Sequence, residues 1–155
     1  MEVIRVGVFE TNSSSTHSIC ISNSTHRGRD SLPVDADGTC RVYPGEFGWE
    51  VEEFDDAPTK AAYCLTYLKH FREPPPHYEG MLKKVIAEKT GAKLVVFVPG
   101  KTEYDGPDGH PNEDWGYIDH QSDGVCGPAW DTEDTLADFI FNRASILRTD
   151  NDNHD

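Results

Sequence analysis

Residues 93–98, Lys-Leu-Val-Val-Phe-Val, constrain the fold more than any other segment. A continuous apolar run of this length, rich in β-branched residues, reads as a strand. A strand that is apolar on both sides calls for cover on both faces, so the run predicts a central strand between two layers. The preceding residues supply helices for one such layer. In 58–72, Pro58 suits a first helical turn, and Ala61, Ala62, Leu65 and Leu68 make an apolar stripe. Pro74-Pro75-Pro76 then ends the helix, because proline has no amide to donate. Residues 77–90 place Met81, Leu82, Val85 and Ile86 at helical spacing, with Gly91 as a C-terminal cap. A third helix is predicted over Asp131–Phe141, capped by Asp131 or Thr132, with Leu136, Phe139 and Ile140 facing the core.

Shorter strands are expected at 3–10, 17–22, 39–43, 116–120 and 146–149. Residues 44–56 follow neither period, 23–38 and 99–116 read as exposed loops, and 150–155 as a polar tail. With 155 residues, the chain suits one domain spanning 1–155. The expected class is α+β: a mixed, mostly antiparallel sheet of four to six strands with about three helices.

Charge and composition narrow the function. Asp and Glu number 28 against 14 Lys and Arg, a formal charge of −14. Phosphate backbones are bound by Lys and Arg, so direct nucleic-acid binding is not expected. There is no run of 18 apolar residues to span a membrane, and the first ten residues hold no apolar block of the signal-peptide kind. A cytoplasmic location follows as an expectation. The four cysteines, Cys20, Cys40, Cys64 and Cys126, form no C-x-x-C pair. Their even number permits two disulfides, but four mostly buried thiols are the expectation for a chain without a secretory signal.

Two polar constellations carry chemistry. If the first two strands pair across Thr11–Thr16, Glu10 and His17 close the hairpin on the core-facing phase. A carboxylate there orients an imidazole, and successive amides and hydroxyls at Asn12, Ser13, Ser14 and Ser15 can cradle an anion. An oriented histidine beside Ser14 can also activate a nucleophile. The plainer alternative is an ion pair closing a tight turn. In the second constellation, residues 116–124, Tyr117 and Asp119 alternate with Ile118 and His120. Asp119 and His120 therefore share a site only if the strand breaks between them. A composite site, with His120 or Asp119 meeting His17, competes with a polar strand end that caps a neighbouring loop.

From Thr102 to Asp138 there is no Lys or Arg, while acids recur from Glu103 to Asp138. Clustered carboxylates can hold a divalent metal such as Ca²⁺ or Mg²⁺, although Asp105–Asp114 does not match an EF-hand loop. Such a face can also imitate nucleic-acid phosphates and occupy a basic groove on a partner, with Glu113, Asp114 and Trp115 as contacts. Solubility alone is the third use of the charge.

Three blocks, FETNSSSTHSI (9–19), YIDHQS (117–122) and FIFNRASILRTDNDN (139–153), resemble segments shared by a group of small bacteriophage and prophage proteins. No activity is attached to that group. The resemblance implies a phage or prophage setting in the host cytoplasm, and it adds weight to Glu10, Asn12, the serine run, His17, Asp119 and His120. Two functions remain in competition. One is a protein that binds and modulates a host or defence protein through its acidic face. The other is a phosphate- or nucleotide-binding or hydrolytic site. There, Glu10, His17, Ser14 and His120 would be catalytic, and Asn12, Ser13, Ser14, Ser15 and Asp119 would hold the ligand.

Overall fold

The computed structural model describes residues 3–7, 15–105 and 111–151. Within them, β1 (Val3–Gly7), β2 (Ser18–Ser22), β10 (Ile146–Thr149) and β5 (Glu52–Phe54) form an antiparallel sheet in the order β1-β2-β10-β5. Three two-stranded ladders complete the strands. β3 (Thr39–Val42) runs parallel to β6 (Leu94–Phe97), and β4 (Glu46–Phe47) parallel to β9 (Tyr117–Ile118). β7 (Gly100–Asp105) pairs antiparallel with β8 (Pro111–Asp114). With helices α1 (Ala57–His70), α2 (Tyr78–Thr90) and α3 (Glu133–Phe141), the class is the α+β fold read from the sequence.

Each helix follows local rules. The Asp56 carboxylate accepts the Thr59 amide at 2.9 Å, and Asp30 accepts the Ala57 amide at 2.7 Å, so two otherwise unpaired donors of α1 are satisfied. α2 ends at Gly91, whose φ of 75° is the left-handed conformation a C-cap needs. α3 is capped by Thr132, which accepts the Thr135 amide at 3.0 Å, and Glu133 and Asp134 complement the positive end of its dipole. The three helices bury Leu65, Leu68, Leu82, Ile86, Leu136 and Phe139 in one core with Ile19, Ile21 and Leu147 of the sheet.

Polar groups lock this core. Lys60 of α1 is fully buried, and its ammonium donates to the carbonyls of Asn142 and Ser145, both at 2.8 Å. It thus satisfies the negative end of α3. Burial pulls the Lys60 pKa down to about 8 against the pull of Asp55 and Asp56. The Asn142 side chain donates to the carbonyls of Ser22 and Ser24 and so ties α3 to β2. All four cysteines are thiols, and the Cys64 and Cys126 sulfurs lie 3.7 Å apart in the core.

The structure departs from two sequence expectations and supplies strands in a segment that follows neither period. β6 is not central: among the described residues it has one neighbouring strand, and Leu94 is 57% exposed. Val95 is buried and half-buried Phe97 packs against the core on the same face, with the Lys83 ammonium over its ring, while the face carrying Leu94 stays open. A long charged side chain can cover apolar surface, so an apolar run does not require a sheet on each side. The expected loop at 99–116 contains β7 and β8, whose polar sequence hides any period-2 signal. Residues 44–56 contain β4 and β5, strands too short to show a period.

Gly116 sets up the β4–β9 ladder. Its φ is 83°, and a Cβ there would sit 2.2 Å from the Gly45 carbonyl oxygen. Gly116→Ala is expected to cost about 2 kcal/mol or more, through left-handed strain and steric overlap with backbone. Gly124→Ala, where a Cβ meets nothing within 4 Å, is the control and should stay within about 0.5 kcal/mol of wild type. Urea denaturation of both variants checks the difference.

Candidate functional site

The alternation of β2 points Ile19 and Ile21 inward, and His17, one residue before the strand, follows the same phase; all three are buried. In the β1–β2 register Gly7 faces Ser18. Glu10, Asn12, Ser13 and Ser14 lie outside the described residues, and with them the expected Glu10–His17 pair. His17 itself is bound on both ring nitrogens. Nε2 lies 2.6 Å from the Gly48 carbonyl, which can only accept, so Nε2 carries the proton. Nδ1 then accepts from the Tyr63 hydroxyl at 2.9 Å. Burial lowers the His17 pKa below its ordinary value, although Gly48, Asp119 and Glu50 pull the other way. The ring is therefore neutral, and its one lone pair is taken by Tyr63.

Asp119 joins the two polar motifs. β9 ends at Ile118 and a 3-10 turn, His120–Ser122, begins directly after Asp119. This is the break that the sequence required if Asp119 and His120 were to share a site. Asp119 Oδ2 accepts the Trp49 indole N–H at 2.7 Å and the Ser15 amide at 3.2 Å. Oδ1 accepts the Tyr117 hydroxyl at 3.3 Å and lies 3.2 Å from His120 Nδ1. Burial alone would raise the carboxyl pKa, but the Trp49 and Ser15 hydrogen bonds and the His120 ring bring it down to about 2. Ser122 adds a second tie: its hydroxyl contacts Ser15 Oγ at 2.7 Å and accepts the His17 amide at 3.2 Å. The segment at 150–151 closes the cluster, with Asp150 accepting the Thr16 amide and Asn151 donating to the Trp49 carbonyl.

The remaining predicted residues sit at the margin. Glu113 accepts the Trp115 indole at 3.1 Å, the Trp115 ring carries the Lys69 ammonium at 4.2 Å, and Asp114 accepts the Gly116 amide at 2.9 Å. Among the described residues no group of three His, Cys, Asp or Glu side chains is gathered as a metal site. Residues 106–110 of the acidic stretch lie outside those described. None of Ser15, His17, Asp119 or His120 lines the groove of about 700 Å³ beside β3.

The arrangement fixes two aromatics in an exposed position. Trp49 is 48% exposed and Tyr117 47%, yet each has its polar atom on the buried Asp119. His120 stands in solvent beside them, its side chain 83% exposed. Glu46, the register partner of Tyr117, is exposed, as is Glu50. Sequence reasoning passed over Trp49, Tyr63 and Gly48. Only Trp49 left a trace, an aromatic between Gly48 and Glu50 in a segment with no period.

Two outcomes are expected. The folded Asp119 pKa lies below the ordinary 3.8, so its contribution is present in full above about pH 4 and is lost as pH falls through about 2. Asp119→Asn should lose about 2 kcal/mol at neutral pH and flatten the acid limb of the stability curve, measured by urea denaturation from pH 7 to pH 2. His17→Ala should destabilise by about 2–4 kcal/mol, and Tyr63→Phe by about 1–2 kcal/mol, because each leaves a buried polar atom without its partner. A His17→Ala protein as stable as wild type would contradict this placement. Comparison of the chain with protein-family models, with curated proteins and with solved structures finds no match.

Proposed function

We propose that this protein is a binding module for a basic partner protein, with Trp49 and Tyr117 as the anchors of its contact face. One observation carries the reading: two half-exposed aromatics are held by the same buried carboxylate. Aromatics already ordered in the free protein lose little entropy on binding, and Trp and Tyr dominate interface energetics. The formal charge of −14 steers a basic partner and repels nucleic acid. The acids of 102–138, Glu113 and Asp114 among them, extend a field of the kind a nucleic acid presents. The resemblance to phage and prophage proteins supports a host or defence protein in the host cytoplasm as the partner class. Among the described residues no helix is long and apolar enough to cross a membrane.

The ligand-site reading keeps one favourable observation. Asp119 lies 3.2 Å from Nδ1 of a solvent-exposed His120, the arrangement that orients an imidazole for proton transfer or for a phosphate. In that reading His120→Ala abolishes binding of a phosphate or nucleotide and leaves the fold intact.

Affinity capture from host cells making the tagged chain tests the main reading. A basic protein should be retained at about 0.1 M salt and released near 0.5 M. Tyr117→Ala gives up only the longest hydrogen bond to Asp119, so it should reduce capture about tenfold while lowering stability by less than Asp119→Asn does. Glu113→Lys with Asp114→Lys should weaken capture more than His120→Ala. Capture indifferent to both salt and Tyr117→Ala refutes the proposal.

A further inference from the structure

A second surface has a strand edge and an apolar groove side by side. β3 is paired with β6 on one edge only, and no strand among the described residues occupies the other. The carbonyls of Gly38 and Val42 point to β6, accepting from Leu94 and Val98 at 3.3 and 2.9 Å. Alternation therefore turns the backbone groups of Thr39 and Arg41 the opposite way. Those of Thr39 are used by Asp35, which accepts the Thr39 amide on its side chain and donates its own amide to the Thr39 carbonyl. Arg41 presents the next donor and acceptor along the edge. The Arg41 side chain, the charge that would guard such an edge, is drawn aside into an ion pair with Asp35.

The groove of about 700 Å³ follows this edge, lined by Leu32, Val34, Val42, Tyr43 and Phe47. Tyr43 stands 55% exposed at its rim. With Asp35 and Arg41 paired, Glu46 is the remaining charged residue in the lining. An unpaired edge alone invites strand addition, and an apolar trough beside it gives alternate side chains of an added strand a place to go. The charge selects the occupant. A second copy would bring a further −14 to the contact, whereas a basic segment is attracted.

We infer that the β3 groove takes an extended segment of a partner protein as an added strand, apolar at alternate positions and basic between them. The inference rests on the binding-module reading for the partner's charge but uses a groove that neither Trp49 nor Tyr117 lines, with Glu46, the register partner of Tyr117, at the boundary between the two. The added strand exchanges backbone hydrogen bonds with Arg41, its apolar side chains enter the trough, and its basic side chains meet the acidic exterior.

The test is an amide NMR titration of the full chain with the acetylated, amidated octapeptide (Lys-Val)4. Shifts should centre on Arg41, Tyr43 and the groove lining, with slowed hydrogen exchange at the Arg41 amide. Methylating alternate backbone nitrogens of the peptide should weaken binding at least about tenfold, and the acidic counterpart (Glu-Val)4 should bind at least about tenfold more weakly. Val34→Ser, a change at a half-exposed lining position, should weaken (Lys-Val)4 while leaving the melting temperature unchanged. Equal binding of the methylated or acidic peptide overturns the inference, as do shifts centred on Tyr117 or no shifts at millimolar peptide. Dimerisation through the β3 edge, seen by sedimentation without peptide, also overturns it in favour of a second copy. Tyr117→Ala keeps the two surfaces distinct. Loss of partner capture with (Lys-Val)4 binding retained separates the contact face from the groove. A failed peptide with Tyr117-dependent capture intact sinks the groove alone.

Discussion

The buried Asp119 carboxylate is the contact on which the arrangement of the molecule depends. Two distant segments donate to it, Ser15 ahead of β2 and Trp49 between β4 and β5, together with the neighbouring Tyr117 of β9. Taking a carboxylate out of water is costly, and the cost is met only where donors are supplied in the right directions. A chain that places those donors elsewhere leaves an unsatisfied charge, so the interaction selects one packing of these segments over alternatives. The exposed aromatics inherit their order from that selection. Trp49 and Tyr117 sit on the surface with their polar atoms tethered to the same carboxylate.

A parallel logic holds the other side of the core. Lys60 places a positive charge where α3 exposes its last carbonyls, and Asn142 links the same turn to β2. One anion and one cation are thus each buried among donors or acceptors rather than paired with each other. Such networks are worth keeping only when every member is satisfied. Both draw on residues far apart in the chain, and for that reason neither leaves a local pattern in the sequence.

What could be read in advance follows from the same distinction. Helices α1, α2 and α3 were legible because their stripes, their caps at Asp56, Gly91 and Thr132, and the proline run are local features. The inward phase of His17, Ile19 and Ile21 was legible from alternation. A composite site, with His120 or Asp119 meeting His17, is one of two alternatives the sequence leaves open. The structure brings Ser15, the His17 amide, Asp119 and Ser122 together, while the His17 ring itself goes to Tyr63 and Gly48. The partners of that site were not legible. Tyr63 reads as an ordinary core aromatic, and Gly48 contributes only a carbonyl, which any residue has. β4 and β9 are two residues each and owe their pairing to a glycine at 116 rather than to β propensity. Residues 93–98 misled because the sequence reports how apolar a strand is, not what covers it.

The strand order β1-β2-β10-β5 has a consequence for the history of each molecule. β10 lies between β2 and β5, yet it follows every other strand among the described residues. During synthesis the ribosome therefore releases α1, α2 and α3 before the strand that joins β2 to β5 exists. Until residues 146–149 emerge, β2 and β5 have no shared neighbour, and their inner edges remain unpaired. The sheet closes only by long-range pairing, which is slow to form because distant segments must first meet. Nascent chains would then spend their vulnerable interval as a helical assembly with open strand edges, dependent on high negative charge to remain apart.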